Sequence, residues 1–233
     1  MTGEGADIAV AIDGPMGSGK STIAREVARR LGYRHVDTGA MYRAVAAAAL
    51  RRGVDPDDAA ALAALAGRVR VEPGAAGPGA RVYVDGEDVT PALRTVEVNR
   101  IVGQVARVPG VRAALRDTQR ELGAAGRVVM EGRDIGSVIL PEARIKVFLT
   151  ASPEERARRR QAELAAAGEM VPLDEVRRIE AEDDRAATTR EVAPLVVAAD
   201  ATVIDSTNLP VDDVVARVLA LVARAVRLRG PQP

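Results

Sequence analysis

The stretch Gly14-Pro15-Met16-Gly17-Ser18-Gly19-Lys20-Ser21 follows directly on the apolar residues 8–12, and this junction decides the fold. Its spacing, G-x-x-x-x-G-K-[ST], is typical of loops whose glycines turn successive backbone N–H groups toward phosphate oxygens. Lys20 can then reach the β and γ oxygens, and the hydroxyl of Ser21 is left for Mg²⁺. A helix that begins at Lys20 would point its positive end at the same anion. The stretch therefore predicts a strand–loop–helix unit that binds a nucleoside triphosphate.

The composition limits the classes of protein that remain. With 233 residues, 47% of them hydrophobic, the chain can bury one large core, with or without an insertion. Acidic and basic residues balance at zero formal charge, so nucleic acid and membrane are not expected partners. There is no cysteine, which excludes disulfides and thiolate sites. With no long apolar run and no leader pattern, we expect a cytoplasmic protein, and a monomer.

Extended and helical patterns alternate along most of the chain. The predicted strands are residues 7–12, 68–71, 80–84, 127–130, 145–149 and 201–204. The predicted helices are residues 20–31, 39–52, 56–67, 95–107, 111–123, 153 to about 168, 173–188 and 211–228. Strands separated by helices indicate an α/β fold with a doubly wound parallel sheet, and the short runs around residues 68–84 indicate a small β insertion.

Two further clusters of polar residues stand where a ligand is expected. Residues 37–43, Asp-Thr-Gly-Ala-Met-Tyr-Arg, open the helix that follows the first βα unit. Residues 131–134, Glu-Gly-Arg-Asp, follow directly on a predicted central strand. Because ligands of open α/β sheets bind beyond the carboxyl ends of the strands, both clusters should face the nucleotide.

Together these motifs resemble the bacterial cytidylate kinase family. The matching residues are Gly14-Pro15, Gly19-Lys20-Ser21-Thr22, Asp37 to Arg43, Val111-Arg112, Glu131-Gly132-Arg133-Asp134-Ile135-Gly136, Ala193-Pro194-Leu195 and Asp205-Ser206-Thr207. The resemblance runs from about residue 7 to 224 and implies the nucleoside monophosphate kinase fold of the P-loop type. It also implies transfer of the γ-phosphoryl group of ATP to CMP or dCMP, with Mg²⁺.

On this resemblance the chain is one kinase domain, residues 1–233, with three kinds of part. A core would comprise residues 7–34, 125–152 and 191–228. An acceptor-binding part with the β insertion would comprise residues 35–124, and a short helical lid residues 153–190. Phosphoryl transfer needs positioning and charge neutralisation more than covalent help, so we nominate no general base.

The resemblance also assigns roles to individual residues. The expected ATP-binding residues are Gly14, Pro15, Met16, Gly17, Ser18, Gly19, Lys20, Ser21 and Thr22. The expected CMP-binding residues are Thr38, Arg43, Arg112, Arg133, Asp134 and Arg190. The expected catalytic residues are Lys20, Arg133, Arg156, Arg160 and Arg190, of which Arg156 and Arg160 lie on the lid. Ser21 is the expected Mg²⁺ contact.

Base choice follows from hydrogen-bond chemistry. The carboxylate of Asp134 can accept from N4 of cytosine, and Arg112 can donate to N3 and O2. Uracil would turn an acceptor, O4, toward the same carboxylate, and a site built around a hydrogen bond rejects such an analogue. We therefore expect a strong preference for CMP over UMP.

The chain departs from the family pattern at the sugar end of the acceptor site. The family carries Arg-Asp-x-x-Asp-x-x-Arg, in which the last arginine matches Arg190, and the first arginine and second aspartate address the ribose hydroxyls. Here these positions are Asp183 and Ala187, with Arg185 as a substitute, and a pocket serine is replaced by Gly103. We predict weak recognition of the 2′-hydroxyl and little preference between CMP and dCMP.

Other readings of the same residues stay open. A P-loop kinase for another small acceptor, such as UMP or shikimate, shares the phosphate loop. A GTP-dependent switch is disfavoured because the chain has no Asn-Lys-x-Asp run. His35, the only histidine, is predicted to lie in a loop or to pack rather than to catalyse. Arg158 is predicted to be solvated.

Overall fold

The computed structural model describes residues 8–74, 81–166 and 168–227. The first predicted strand residue, position 7, lies outside these ranges. So do position 80 of the insertion and position 228 of the last helix.

A five-stranded parallel sheet forms the centre of the molecule, with the strand order β2-β6-β1-β7-β8. Its strands are β1 (Ala9–Asp13), β2 (Arg34–Asp37), β6 (Val128–Gly132), β7 (Ile145–Thr150) and β8 (Thr202–Asp205). In the register between the neighbouring strands β1 and β6, Asp13 lies opposite Gly132. The strand that carries the phosphate loop therefore lies beside the strand that carries the Glu-Gly-Arg-Asp cluster, and both end at the same edge.

Helices cover both faces of this sheet, as predicted. They are α1 (Lys20–Leu31), α2 (Thr38–Arg51), α3 (Ala59–Ala66), α4 (Val96–Arg107), α5 (Pro109–Ala124), α6 (Pro153–Ala166), α7 (Leu173–Thr189) and α8 (Val211–Arg227). On one face α1 and α8 pack over Val10, Ile12 and Val129. On the other face α2 to α5 pack over Ala11, Val36, Val128 and Met130. Alternating residues of each strand thus enter different cores, as parallel strands buried on both faces require.

The predicted β insertion is present as a three-stranded antiparallel sheet, β3-β4-β5. Its strands are β3 (Val71–Pro73), β4 (Val82–Val84) and β5 (Glu87–Asp88). The turn at Asp85 and Gly86 has positive φ at both residues, the conformation that a tight two-residue hairpin needs. The first strand begins later than predicted, because the N–H groups of Arg68 and Val69 bond to Leu65 and close α3.

The sequence analysis missed the strands β2 and β5, a 3₁₀ turn at Thr90–Ala92 and one π-helical turn. Strand β2 contains only one fully buried apolar residue, Val36, and pairs with β6 alone, so its edge position hides the usual apolar run. After β6, Ile135–Ile139 form a single π-helical turn, in which the N–H of Ile139 reaches the carbonyl of Asp134. The rest of the helices and strands agree with the predicted ones to within about three residues at each end.

Candidate functional site

The phosphate loop joins β1 to α1 in the conformation that its glycines allow. Gly14, Gly17 and Gly19 all have positive φ, and a Cβ atom on Gly14 would lie 2.0 Å from the carbonyl oxygen of Leu149. Helix α1 begins at Lys20, as predicted, and ends at Gly32 in the left-handed conformation. A side chain at Gly14 would therefore push the loop away from β7, and one at Gly17 would collide with Arg156 and Glu180.

Lys20 lies folded back over the loop. Its Nζ donates to the carbonyl oxygen of Pro15 at 2.7 Å. Burial lowers the pKa of Lys20 to about 8, with the nearby Arg133 adding to the effect and Glu131 and Asp13 opposing it. The charged ammonium group is thus destabilised by burial, and an incoming anion would stabilise it.

Ser21 contacts a buried carboxylate from the neighbouring strand. Its Oγ donates to Oε2 of Glu131 at 2.8 Å, and Nε2 of His35 lies 2.9 Å from Oε1 of the same residue. Glu131 is only 2% exposed. Burial raises its pKa, with Asp37 adding to the effect, while the hydrogen bond from His35 opposes the rise.

His35 is therefore in a strand, and its ring is part of the polar network beneath the phosphate loop. The prediction of a loop position was wrong, since His35 is the second residue of β2. Because side chains alternate along a strand, His35 and Asp37 share the face opposite to Val36. That face is the one on which Glu131 meets α1. The alternation could have revealed this network had β2 been recognised.

Arg112 and Asp134 form a buried ion pair on the other side of the loop. The guanidinium of Arg112 lies 2.5 Å from the carboxylate of Asp134, and each side chain is 7% exposed. The ring of Tyr42 lies under Arg112, 5.3 Å from its Cζ atom. Arg190 approaches the second oxygen of Asp134 at 3.8 Å, and burial next to Arg112 lowers its pKa.

Thr38 and Arg43 lie at the start of α2, close to the end of β6. The hydroxyl of Thr38 donates to the carbonyl oxygen of Glu131 at 2.7 Å, and Asp37 caps the helix by accepting from the N–H of Ala40. Burial lowers the pKa of Arg43, with Asp37 opposing and Arg160 among the cations that add to the effect.

Helices α6 and α7, which the resemblance assigns to a lid, lie against the phosphate loop. Arg156 donates to the carbonyl oxygen of Met16 at 3.1 Å and pairs with Asp184 at 2.6 Å. Arg160 instead pairs with Glu163 on its own helix at 3.2 Å. The exposed Arg158 pairs only with Glu155, as its predicted solvation requires.

Arg159 was not among the predicted site residues, yet it reaches the loop. It donates to the carbonyl oxygen of Ser206 at 2.8 Å, and more weakly to that of Ser18 at 3.5 Å. Its position three residues after Arg156 places both on one face of α6, which is the signal that could have identified it.

A cavity of about 390 Å³ opens next to the loop on the side of β8 and α8. It is lined by Gly19, Thr22, Arg159, Glu163, Ser206 and Val211, among others. Ser206, which belongs to the motif at residues 205–207 that matches the family, therefore lines this cavity.

The departures from the family pattern have clear positions. Asp183 pairs with Arg133 at 2.7 Å, and Ala187 is buried. Arg185 is exposed, and a Cβ atom on Gly103 would meet no atom within 4 Å.

Glu180 on α7 is a buried carboxylate at the junction of lid and loop. It is 2% exposed, and neither of its oxygens has a hydrogen-bond partner. A Cβ atom on Gly17 would lie 2.7 Å from its Oε1. Burial raises its pKa to about 7, against the opposing charge of Arg156.

Within the described ranges, no three acidic, histidine or cysteine side chains converge on a point that could hold a metal by themselves. Nor does any helix in that part of the chain have the length and apolar character to span a membrane.

Comparison with known proteins identifies the family. A family model described as cytidylate kinase matches residues 10–224. A cytidylate kinase of Pelotomaculum thermopropionicum is 52% identical over 220 residues, which cover 94% of this chain and 97% of that protein. One from a Geobacter species is 47% identical and covers 97% and 95%. A solved shikimate kinase from Bacteroides thetaiotaomicron, 16% identical with a TM-score of 0.50 over 93% of this chain and 98% of its own, shares the fold. Since the family model and the two cytidylate kinases match nearly the whole chain, the protein belongs to the cytidylate kinase family.

Proposed function

We propose that the protein transfers the γ-phosphoryl group of ATP to CMP or dCMP, giving ADP and CDP or dCDP. The observation that carries the proposal is the buried pair of Arg112 and Asp134, which stands one strand away from the phosphate loop. It presents a donor and an acceptor to a base, beside further guanidinium groups for a phosphate. The relatives named cytidylate kinase support the same conclusion.

On the donor side, the loop residues Gly14, Pro15, Met16, Gly17, Ser18, Gly19, Lys20, Ser21 and Thr22 hold the triphosphate of ATP. Lys20 leaves the carbonyl of Pro15 and binds the β and γ oxygens. The cavity beside Arg159 and Ser206 receives the base of ATP, since it is the described cavity that adjoins the loop.

On the acceptor side, Arg43, Arg133 and Arg190 bind the phosphate of CMP, with Thr38 beside them. Planar guanidinium groups suit bidentate contacts with phosphate oxygens. Arg112 and Asp134 read the cytosine edge. Arg133 is paired with Asp183, and the incoming phosphate displaces that carboxylate.

The residues around Ser21 fit a magnesium ion. Mg²⁺ prefers oxygen ligands and keeps several waters, so few protein groups are required. The hydroxyl of Ser21 and the buried carboxylate of Glu131, 2.8 Å apart, supply such oxygens next to the β and γ positions. The ion would offset the negative charge of the donor phosphates.

Arg156 and Arg160 on the lid complete the site. Arg156 already contacts the loop, and Arg160 stands near Arg43. When both nucleotides are bound, the two arginines neutralise charge that spreads over the transferring group, and the lid excludes water that would hydrolyse ATP. We further propose that the protein is a monomer and that it acts in the cytoplasm, where nucleotide substrates of this kind occur.

An acceptor screen tests the proposal. Purified protein is mixed with ATP and Mg²⁺ and with CMP, dCMP, UMP or shikimate, and ADP formation is followed. Turnover that depends on CMP and dCMP is expected. Turnover with shikimate alone would assign a different kinase, and tight binding of GTP without turnover would favour a switch.

A further inference from the structure

Asp13, the last residue of β1, makes contacts that the proposed reaction does not yet explain. Its carboxylate is 5% exposed. One oxygen accepts the N–H of Ile135 at 2.7 Å, and the other accepts the N–H of Gly136 at 2.7 Å. A single carboxylate therefore bridges two consecutive amides on the chain that follows β6.

These amides belong to the segment that presents the acceptor-site residues. Arg133 and Asp134 immediately precede Ile135, at the point where the chain leaves the sheet after Gly132. The first N–H groups of a helical turn have no partner within the turn. Asp13 supplies that partner, so it fixes the backbone on which both side chains stand.

The segment after β6 packs closely against β1 and β7 at Gly136. A Cβ atom on Gly136 would lie 3.2 Å from the side chain of Lys146 and 3.4 Å from Asp13 itself. Asp13 is followed directly by Gly14, whose missing side chain lets the loop touch Leu149. The phosphate loop and the acceptor segment are thus held on either side of one carboxylate.

The direction of the Asp13 side chain shows that its contact connects the phosphate-loop side of the site with the acceptor side. Asp13 points to the same side as Ala11, toward α2 and α5, whereas the loop it precedes leads to α1 on the other side. Glu131 does the reverse: it is the next-to-last residue of β6, and its carboxylate accepts a hydrogen bond from Ser21 of α1. Strand β1 therefore carries the phosphate loop and holds the segment after β6. Strand β6 carries that segment and holds the start of α1, directly after the phosphate loop.

From these contacts we infer that Asp13 is a positioning residue that sets the separation and orientation of donor and acceptor phosphates. The inference rests on the proposed function for the roles of Arg133 and Asp134. A displacement of about 1 Å between reacting groups costs on the order of 100-fold in rate, so a residue that contacts neither nucleotide can control turnover in this way.

The variant Asp13→Asn tests this role. It keeps the shape of the side chain but turns an amide NH₂ group toward one of the two N–H donors. We expect kcat with CMP to fall by about 10- to 100-fold. The Kd for ATP, measured by calorimetry without acceptor at about pH 6.5, should stay within about threefold, since the loop glycines are untouched and Lys20 stays protonated there even without the charge of Asp13. The CMP/UMP ratio of kcat/KM should also fall, because Asp134 loses its fixed orientation.

Asp58→Asn is the matched control. Asp58 is also a carboxylate that accepts a backbone N–H, that of Ala61 at 2.9 Å, but it caps α3 away from the site. We expect its kcat, base ratio and ATP affinity to match the unmodified protein. If Asp13→Asn keeps full kcat, or loses ATP affinity in parallel with kcat, the inference is overturned.

Hydrogen exchange tests the contact without any variant. In the intact protein the amides of Ile135 and Gly136 should exchange as slowly as those inside β6. Exchange at the rate of an open loop would overturn the inference even if Asp13→Asn failed to fold. If the unmodified protein does not phosphorylate CMP, the proposed function fails, while the exchange data still decide whether Asp13 holds the segment.

Discussion

Asp134 lies between two guanidinium groups: Arg112 contacts one of its oxygens at 2.5 Å, and Arg190 approaches the other at 3.8 Å. The carboxylate is therefore held as an acceptor before any nucleotide arrives. A base that presents a hydrogen-bond donor, such as cytosine with its N4 group, can donate to this carboxylate as well. A base that presents an acceptor there meets a buried negative charge.

Asp134→Ala should abolish discrimination between CMP and UMP. We expect the ratio of kcat/KM values to fall toward one, mainly through loss of activity with CMP. The protein should also lose about 3–5 kcal/mol of stability, because Arg112 is left buried without its partner. Steady-state kinetics and thermal unfolding measure the two effects. An unchanged ratio would refute the role of Asp134.

Asp134→Asn is the companion variant, since it keeps the volume of the side chain. Its amide presents both a donor and an acceptor, so it can meet O4 of uracil as well as N4 of cytosine. We expect a gain of activity with UMP relative to Asp134→Ala.

ATP affinity should weaken at alkaline pH because of Lys20. Its pKa is lowered to about 8 in the free protein, and only the protonated form attracts the triphosphate. Above pH 8 the protein must take up a proton to bind, so Kd should rise by about tenfold per pH unit. Calorimetry in buffers of different ionisation enthalpy measures both Kd and proton uptake.

Lys20→Arg separates charge from position in this experiment. Its guanidinium stays protonated across the same range, so its Kd should not depend on pH even if ATP binds more weakly. A flat profile in the unmodified protein would contradict the role given to Lys20.

Removing the ring of His35 should destabilise the network beneath the phosphate loop. In His35→Ala the buried Oε1 of Glu131 loses its hydrogen-bond partner, which typically costs about 1–3 kcal/mol. Denaturant unfolding measures this cost. His35→Gln offers an amide donor in place of the ring and should recover part of the loss. Equal stability of all three proteins would show that the contact contributes nothing.

Glu180→Gln should stabilise the protein at alkaline pH. The pKa of Glu180 is raised to about 7 in the folded protein from an ordinary value of 4.5, so folding favours its neutral form. The stability present in acid is therefore lost as the pH rises from about 4.5 through 7. Glutamine stays neutral throughout. We expect a gain on the order of 2 kcal/mol at pH 8.5 and none near pH 4.5.

The exposed neighbour Glu182 provides the control for this comparison. Its carboxylate pairs with Arg178 on the surface of α7, and both side chains are 62% exposed. Glu182→Gln should show no gain in Tm at either pH. A similar gain in both variants would mean that overall charge, not burial of Glu180, sets the effect.

The protein should discriminate weakly between CMP and dCMP. The buried side chain of Ala187, which stands where the family has an aspartate, has no atom that can accept a hydrogen bond from a ribose hydroxyl. We expect kcat/KM values within roughly threefold of each other, because a hydroxyl that meets no hydrogen-bonding partner contributes little. A large advantage for CMP in steady-state kinetics would show that another group reads the 2′-hydroxyl.

Much of the molecule could be predicted because its signals are local. Glycine conformations and the helix dipole, which involve only neighbouring residues, predict the phosphate loop, the start of α1 and its end at Gly32. Strand β2 could not be predicted, because its polar residues are buried only through pairing with β6. The turn at Ile135–Ile139 depends on Asp13, more than 120 residues earlier in the chain.

The site was predictable to the same extent. The motif residues meet at one edge of the sheet, because parallel strands bring their carboxyl ends together. The pairings within the site could not be read from the chain. Arg159 reaches Ser206, and Asp183 takes the position beside Arg133, only because the lid helices fold back over the loop.

The crossed anchoring of Asp13 and Glu131 has a consequence for protein engineering. An acceptor loop transplanted from another kinase would arrive without amides shaped to meet Asp13, and it would leave Ser21 without Glu131. Such a chimera should function only if Asp13, Glu131 and the strands β1 and β6 that carry them are exchanged together. If the proposed function holds, substrate choice and use of the donor should therefore change together whenever β1 or β6 is altered.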